Sequence, residues 1–171
     1  MKSILPALVF GAVLLVLVLG ARFAQNKMHE YETRKSTGNP NSSPSDLAEG
    51  ERMATQFPDT LLSTTGIRYK ILREGTGEKP VAGSLVKAHY SGRLLDGTVF
   101  DSSYDRVEPY EFTLMKGEVI RGWDLSVSEM RQGEKRLIVI PSRLAYGPSG
   151  RPPVIPPRAA LVFELELVDF K

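Results

Sequence analysis

Between Ala160 and Phe170, every second side chain is apolar, and glutamates lie among the side chains in between. The side chains in between include Glu164 and Glu166, which favour water. The apolar set consists of Leu161, Phe163, Leu165 and Leu167. A period of two predicts a β-strand with one buried face. This feature constrains the fold most, because a strand of this kind needs partner strands to be stable.

Four other segments predict those partners. Residues 67–72 alternate in the same way. The segment 84–95 leads into Asp96-Gly97, which favours a tight hairpin turn because both residues accept positive φ angles. Residues 98–100 return from that turn, and residues 135–140 form another apolar run. The pattern predicts a mostly antiparallel sheet.

One amphipathic helix is predicted between about Ile120 and Arg131. Trp123, Val127 and Met130 recur there at steps of four and three, which places them on one face. Gly133 follows as a helix stop. We therefore predict an α+β fold, with a strongly bent antiparallel sheet of about five strands wrapped over one short helix.

The N-terminal segment is almost entirely apolar from Ile4 to Ala21 and is flanked by Lys2 and Arg22. This layout predicts a signal peptide or signal-anchor over residues 1–21. We expect the protein to be extracytoplasmic, in the periplasm or cell envelope. It would be either anchored by this segment or released after cleavage, with membrane contact only through residues 4–21.

Residues 22–63 have the composition of a flexible linker, with a core of Thr, Gly, Asn, Pro and Ser at 37–45. The stretch 46–57 carries a weak helical signal, but Gly50 and its low apolar content favour a solvated spacer. The compact domain is therefore predicted to cover residues 64–171.

The composition excludes several kinds of site. The chain has no cysteine and only two histidines, His29 in the polar tail and His89 in a predicted strand. Thiol catalysis and cysteine-based zinc sites are thereby excluded, and we expect no metal and no cofactor. A net charge of +2, from 22 basic and 20 acidic residues that are scattered along the chain, argues against a nucleic-acid partner.

A long connection rich in proline and glycine joins the last two predicted strands, from Pro141 to Arg158. Connections of this length in compact domains are usually functional. Tyr146 lies within it among turn-forming residues, so its phenol should be able to reach a ligand.

Five stretches, in this order, resemble the FKBP-type peptidyl-prolyl isomerases, the macrolide-binding immunophilins. The resemblance extends from about Thr65 to Lys171. The matching stretches are VKAHYSG at 86–92, DGTVFDSS at 96–103, GEVIRGW at 117–123, LAYG at 144–147, and VIPP at 154–157 running into LVFELEL at 161–167.

The resemblance implies a half-barrel sheet that binds the substrate proline between sheet and helix. It places Trp123 beneath the proline ring, Asp101 near Tyr90 at the polar end, and the Ile120 N–H and Tyr146 hydroxyl on substrate carbonyls. It implies that Phe100, Phe112 and Phe163 form the walls. The implied catalytic residues are Tyr90, Phe100, Asp101 and Tyr146. The implied substrate-binding residues are Tyr110, Phe112, Val119, Ile120, Trp123, Ile155 and Phe163. Proline-containing polypeptides and macrolides are the implied partners.

The chain departs from the family pattern at the edge of this site. Tyr110 stands where phenylalanine is frequent, and Met115 replaces a turn glycine, so we expect a differently shaped backbone before Ile120. The loop residues Leu144, Pro148 and Arg151 also vary, which bears on substrate preference and macrolide affinity.

Rotation about an X-Pro bond suits this inventory of residues. Its barrier of about 18–20 kcal/mol comes from amide resonance, so catalysis needs neither a nucleophile nor a metal. An apolar pocket favours the less polar, twisted amide. The alternative is a module that binds a proline motif or a partner with little turnover.

Overall fold

The structure is a computed structural model that describes residues 43–171. The predicted signal segment at 1–21 and the first part of the predicted linker lie outside the described residues. Within the described part, the helices are α1 (Pro44–Gln56) and α2 (Arg121–Val127). The strands are β1 (Leu61–Leu62), β2 (Arg68–Arg73), β3 (Leu85–Leu94), β4 (Val99–Ser102), β5 (Tyr110–Thr113), β6 (Lys135–Ile140) and β7 (Leu161–Phe170). Neither of the two helices is long and apolar enough to span a bilayer.

The strands form one antiparallel sheet in the order β1-β2-β6-β7-β3-β4. The β3 strand pairs with β7 along one edge, and along the other edge it pairs first with β5 and then with β4. The predicted α+β fold with an antiparallel sheet is confirmed. Seven strands replace the predicted five, because β1 and β5 span only two and four residues and are too short to show a periodic pattern.

The main core lies between the sheet and α2. Trp123, Val127 and Met130 are all buried there, as their spacing predicted. The helix itself ends at Val127, four residues earlier than predicted. Beyond it the backbone tightens, since the Glu129 N–H donates to the Ser126 carbonyl and the Met130 N–H to the Val127 carbonyl, each three residues back.

The prediction that residues 44–63 belong to a flexible linker was wrong. Ser43 begins α1 with a capping box, in which its hydroxyl accepts from the Asp46 N–H and the Asp46 carboxylate accepts from the Ser43 N–H. Pro44 occupies the first turn, where it needs no backbone partner. The compact unit therefore begins at Ser43 and not at residue 64.

Helix α1 packs on the face of the sheet opposite α2. Its Met53 is only 1% exposed and contacts Val139, Ala160 and Val162. Successive strand residues point to opposite faces, and the neighbouring Ile138 belongs to the core beneath α2. The helix escaped prediction because it buries only two side chains, too few to show as an apolar stripe.

Candidate active site

Four aromatic rings stand around the indole of Trp123, which lies in the first turn of α2 and is 5% exposed. They approach it edge-on, at interplanar angles between 60° and 83°, and we call the apolar surface that they border over the indole the depression. The ring centroids lie 4.9 Å from the indole for Tyr90, 5.3 Å for Phe163, 5.8 Å for Phe112 and 6.4 Å for Tyr110. The sheet and the helix together thus bring five aromatic rings into one apolar cluster.

The predicted ring residues differ in how far they reach the surface. Phe100 is half-buried and packs edge-on against Phe163 at 5.6 Å, so these two form one wall. Tyr110 is 40% exposed and lies at the rim. Phe112 is 1% exposed and contacts Trp123, so it supports the floor and does not form the predicted wall.

The wall depends on Gly92 in β3. A Cβ atom at this position would lie 2.7 Å from the Phe163 ring and 2.8 Å from the Phe100 ring, closer than carbon atoms can approach. Gly92 was part of a matching stretch, but no role was predicted for it. Its role is to leave space for the two rings that form the wall.

A network of three residues closes the polar end of the depression. The Tyr90 hydroxyl donates a short hydrogen bond to Asp101 Oδ2. Arg106 donates from Nη1 to Asp101 Oδ1 at 2.9 Å and from Nη2 to the Tyr90 hydroxyl at 2.7 Å. Sequence reasoning missed Arg106. The only available signal was a basic residue five positions after Asp101, in the turn that follows β4.

The network holds Asp101 ionised and Tyr90 protonated. Partial burial alone would raise the pKa of Asp101, but the hydrogen bonds from Tyr90 and Arg106 outweigh it, so the pKa lies below its ordinary value. Burial, followed by the hydrogen bond to Asp101, raises the pKa of Tyr90 to about 12. The phenol is thus fixed as a donor to the carboxylate.

These shifts predict an activity that is level with pH from about 5 to 9, because neither group titrates there. The lowered pKa of Asp101 also means that its contribution to folding is present above its unfolded-state pKa and is lost as pH falls through the lower folded-state value. A pH profile of kcat/KM for an X-Pro peptide tests whether the activity stays constant over this range. A titration near neutrality would contradict the assignment of Asp101 and Tyr90.

Two hydrogen-bond donors belong to residues that pack against the same core as Trp123. The Ile120 carbonyl begins α2 by accepting from the Trp123 N–H at 2.9 Å, while the Ile120 N–H has no acceptor among residues 43–171. The Tyr146 hydroxyl likewise has no partner within the described part of the chain, and the Arg151 guanidinium lies 5.9 Å from the centre of its ring. Both donors are therefore available to carbonyl groups of a bound peptide.

The loop from Pro141 to Ala160 carries Tyr146 and is more ordered than its composition suggested. Two short 3₁₀ turns cover Ser142–Leu144 and Gly147–Ser149. Arg151 and Ile155 then exchange backbone hydrogen bonds at 2.8 and 3.0 Å. Ile155 is buried against the core, and the half-buried Val119 and Ile120 also pack against it. Nine of the eleven predicted residues thus lie in or against one core cluster, while Tyr110 contacts it through Trp123 and Asp101 through Tyr90. Their roles stay predictions.

Met115 adopts a φ of +62°, in the left-handed region that glycine favours. The expectation of a differently shaped backbone at this turn stays a prediction. Its N–H donates to the buried Asp124 carboxylate at 2.8 Å, which ties the turn to α2.

The model of the FKBP-type peptidyl-prolyl cis-trans isomerase family matches residues 76–168. The chain belongs to this family. It is 55% identical over 107 residues to the peptidyl-prolyl cis-trans isomerase FPR2 of Saccharomyces cerevisiae, covering 62% of this chain and 79% of that protein. The crystal structure of FkpA from Escherichia coli aligns with a TM-score of 0.67 at 35% identity, covering 92% of this chain and 71% of that one.

Longer relatives share the FKBP domain as well. The peptidyl-prolyl cis-trans isomerase FKBP4 of Mus musculus is 53% identical over 107 residues, which cover 62% of this chain. This chain spans only 23% of that relative's length and 24% of the similar FK506-binding protein 59 of Drosophila melanogaster. The family predicted from the sequence is confirmed. Among the described residues, no group of acidic or histidine side chains could hold a metal ion.

Proposed function

We propose that this FKBP domain catalyses cis/trans rotation of X-Pro bonds in folding polypeptides, and that it does so outside the cytoplasm. The observation that carries the catalytic part is the depression over Trp123, enclosed by edge-on rings and closed at one end by Asp101, Tyr90 and Arg106. The apolar run from Ile4 to Ala21 supports the compartment.

The proline ring of a substrate would lie on the indole of Trp123, between the wall of Phe100 and Phe163 and the rim at Tyr110. The carbonyl that precedes the proline would then leave water. A planar amide is more polar than a twisted one, so this transfer disfavours both planar isomers relative to the transition state. The site thereby accelerates rotation without any covalent step.

The donors at Ile120 and Tyr146 would hold carbonyl groups on either side of the rotating bond. Fixing the chain on both sides confines the motion to one amide and favours the geometry of the transition state. Asp101, held ionised by its two donors, contributes a fixed negative charge at the polar end. Preorganised groups of this kind stabilise a transition state without rearranging during the reaction.

Macrolides are proposed as a second class of ligand, since the depression is apolar, ring-lined and bordered by two free donors. We expect such a ligand to compete with the peptide for Trp123. Competition in the peptide assay tests this point. Undiminished isomerisation with the macrolide in excess would contradict it.

Isomerisation of an X-Pro tetrapeptide by the full-length chain tests the catalytic proposal. We expect acceleration at micromolar protein and a decrease of about tenfold or more in kcat/KM for Phe100→Ala, which removes half of the wall. Val99→Ala is a matched control, because Val99 is the preceding strand residue and is exposed. Absence of acceleration by the unmodified chain would refute the proposed catalysis.

The compartment needs a separate experiment. A C-terminally tagged chain should fractionate with the cell envelope or periplasm of a bacterial host. Its mass would show whether the first 20 or so residues are retained or removed. Recovery of the intact chain in the cytoplasmic fraction alone would contradict an extracytoplasmic role.

A further inference from the structure

Helix α1 contacts both ends of the loop between β6 and β7. This loop carries two residues of the candidate site, Tyr146 and Ile155. The contact at the start of the loop is through Ser142, and the contact at its end is through Arg158. A single helix therefore touches the loop where it leaves the sheet and again shortly before it returns.

The first contact is made by a buried carboxylate. Glu49 is 4% exposed, and its two oxygens accept from the Ser142 N–H at 3.0 Å and from the Ser142 hydroxyl at 3.1 Å. Ser142 is itself buried and begins the 3₁₀ turn that leads to Tyr146 four residues later. Two hydrogen bonds join the same two residues, so this pair fixes the direction in which the loop starts.

The second contact involves the N-terminal turn of α1. Arg158 donates from Nη1 to the Ser45 hydroxyl at 3.0 Å. The backbone N–H of Arg158 donates to the Gly147 carbonyl at 3.0 Å, directly after Tyr146. Arg158 has a φ of +56°, a conformation that non-glycine residues hold only where their surroundings require it.

The helix can serve as a fixed support because it is anchored to the sheet. Met53 lies one turn after Glu49 and is buried against residues of β6 and β7. All of α1 precedes residue 76, where the match to the family begins. The support for the loop is therefore supplied by a part of this chain outside the matched FKBP domain.

We propose that α1 clamps this loop and that Glu49 is a positioning residue for Tyr146. Glu49 does not touch the substrate. It holds the turn at Ser142 so that the Tyr146 hydroxyl stays where a substrate carbonyl binds. The functional consequence rests on the proposed isomerase activity, whereas the effect on the loop does not.

Activity and stability measured on full-length variants separate positioning from general stabilisation. Glu49→Ala should lower kcat/KM for an X-Pro tetrapeptide by about three- to tenfold, since small displacements of a binding group are costly. Glu49→Gln keeps one acceptor for the Ser142 N–H and should recover part of the loss. Leu167→Ala is the stability control, because Leu167 lies in the core beneath α2 and outside the cluster around Met53, and it should lower Tm while leaving kcat/KM within about twofold.

A double substitution tests whether the effect passes through Tyr146. In a Tyr146→Phe background the hydroxyl is already absent, so adding Glu49→Ala should reduce kcat/KM by less than about twofold. Full activity of Glu49→Ala, equal losses for Glu49→Ala and Leu167→Ala, or additive losses in the double variant would each overturn the proposal.

Hydrogen exchange at residues 143–157 measures the clamp directly. Glu49→Ala should accelerate exchange there more than Leu167→Ala does. Unchanged exchange would refute the clamp whatever the activity. If Glu49→Ala exchanges faster but the unmodified chain has no isomerase activity, the clamp is supported and the proposed function is refuted.

Discussion

Asp101→Val in the full-length chain should keep the fold and lower kcat/KM for X-Pro isomerisation by about 10- to 100-fold. Valine removes both carboxylate oxygens, so the Tyr90 hydroxyl and the Arg106 guanidinium lose the acceptor between them. The Asp101 side chain is about half exposed, so water can solvate the groups left behind. The loss should therefore appear in activity and hardly at all in thermal stability.

Asp105→Val is the control for that experiment. Asp105 is an exposed acidic residue in the turn after β4, next to Arg106. Within the described part of the chain, the Tyr90 hydroxyl forms hydrogen bonds with Asp101 and Arg106 but not with Asp105. Activity should stay within about twofold of the unmodified chain. Equal losses for the two variants would show that net charge, and not the network around Tyr90, controls the rate.

Met53→Ala should reduce the free energy of unfolding by about 2–4 kcal/mol. The side chain is fully buried between α1 and the outer face of the sheet, so its removal leaves a cavity beside Val139 and Val162. Urea denaturation followed by tryptophan fluorescence measures the change, since Trp123 is the only tryptophan and reports on the core.

Leu47→Ala provides the matched comparison on the same helix. Leu47 is 53% exposed, so its truncation should change the free energy of unfolding by no more than about 0.5 kcal/mol. If Met53→Ala were as mild as Leu47→Ala, α1 would not be an integral part of the folded domain. The residues before 64 would then be the spacer that their composition suggested.

The alternation in β7 shows what a local pattern can predict. Leu161, Phe163, Leu165 and Leu167 are all buried against α2, as a period of two required. Val162 lies on the other face, where the pattern alone would place a solvent-exposed side chain. It is fully buried because α1 covers it, and no feature of β7 indicates which distant segment does so.

In the candidate site, too, some residues could be predicted from the sequence and others could not. Its rings were identified through the family resemblance, because aromatic side chains and their order along the chain are visible in the sequence. Arg106 was missed, since an arginine in an exposed turn has no pattern of its own. Its role depends on the path of β3 and β4, which brings Tyr90 next to Asp101.

The sequence by itself determined the sheet and the buried face of α2, and its five motifs resembling the FKBP family predicted activity on prolyl bonds. These follow from periodicity and composition, together with motifs that are continuous along the chain. Only the tertiary structure decided that Glu49 meets Ser142, 93 positions away, and that α1 belongs to the domain. A contact between two short polar segments leaves no periodic signal, because its energy comes from burial and hydrogen bonds that exist only after the chain has folded.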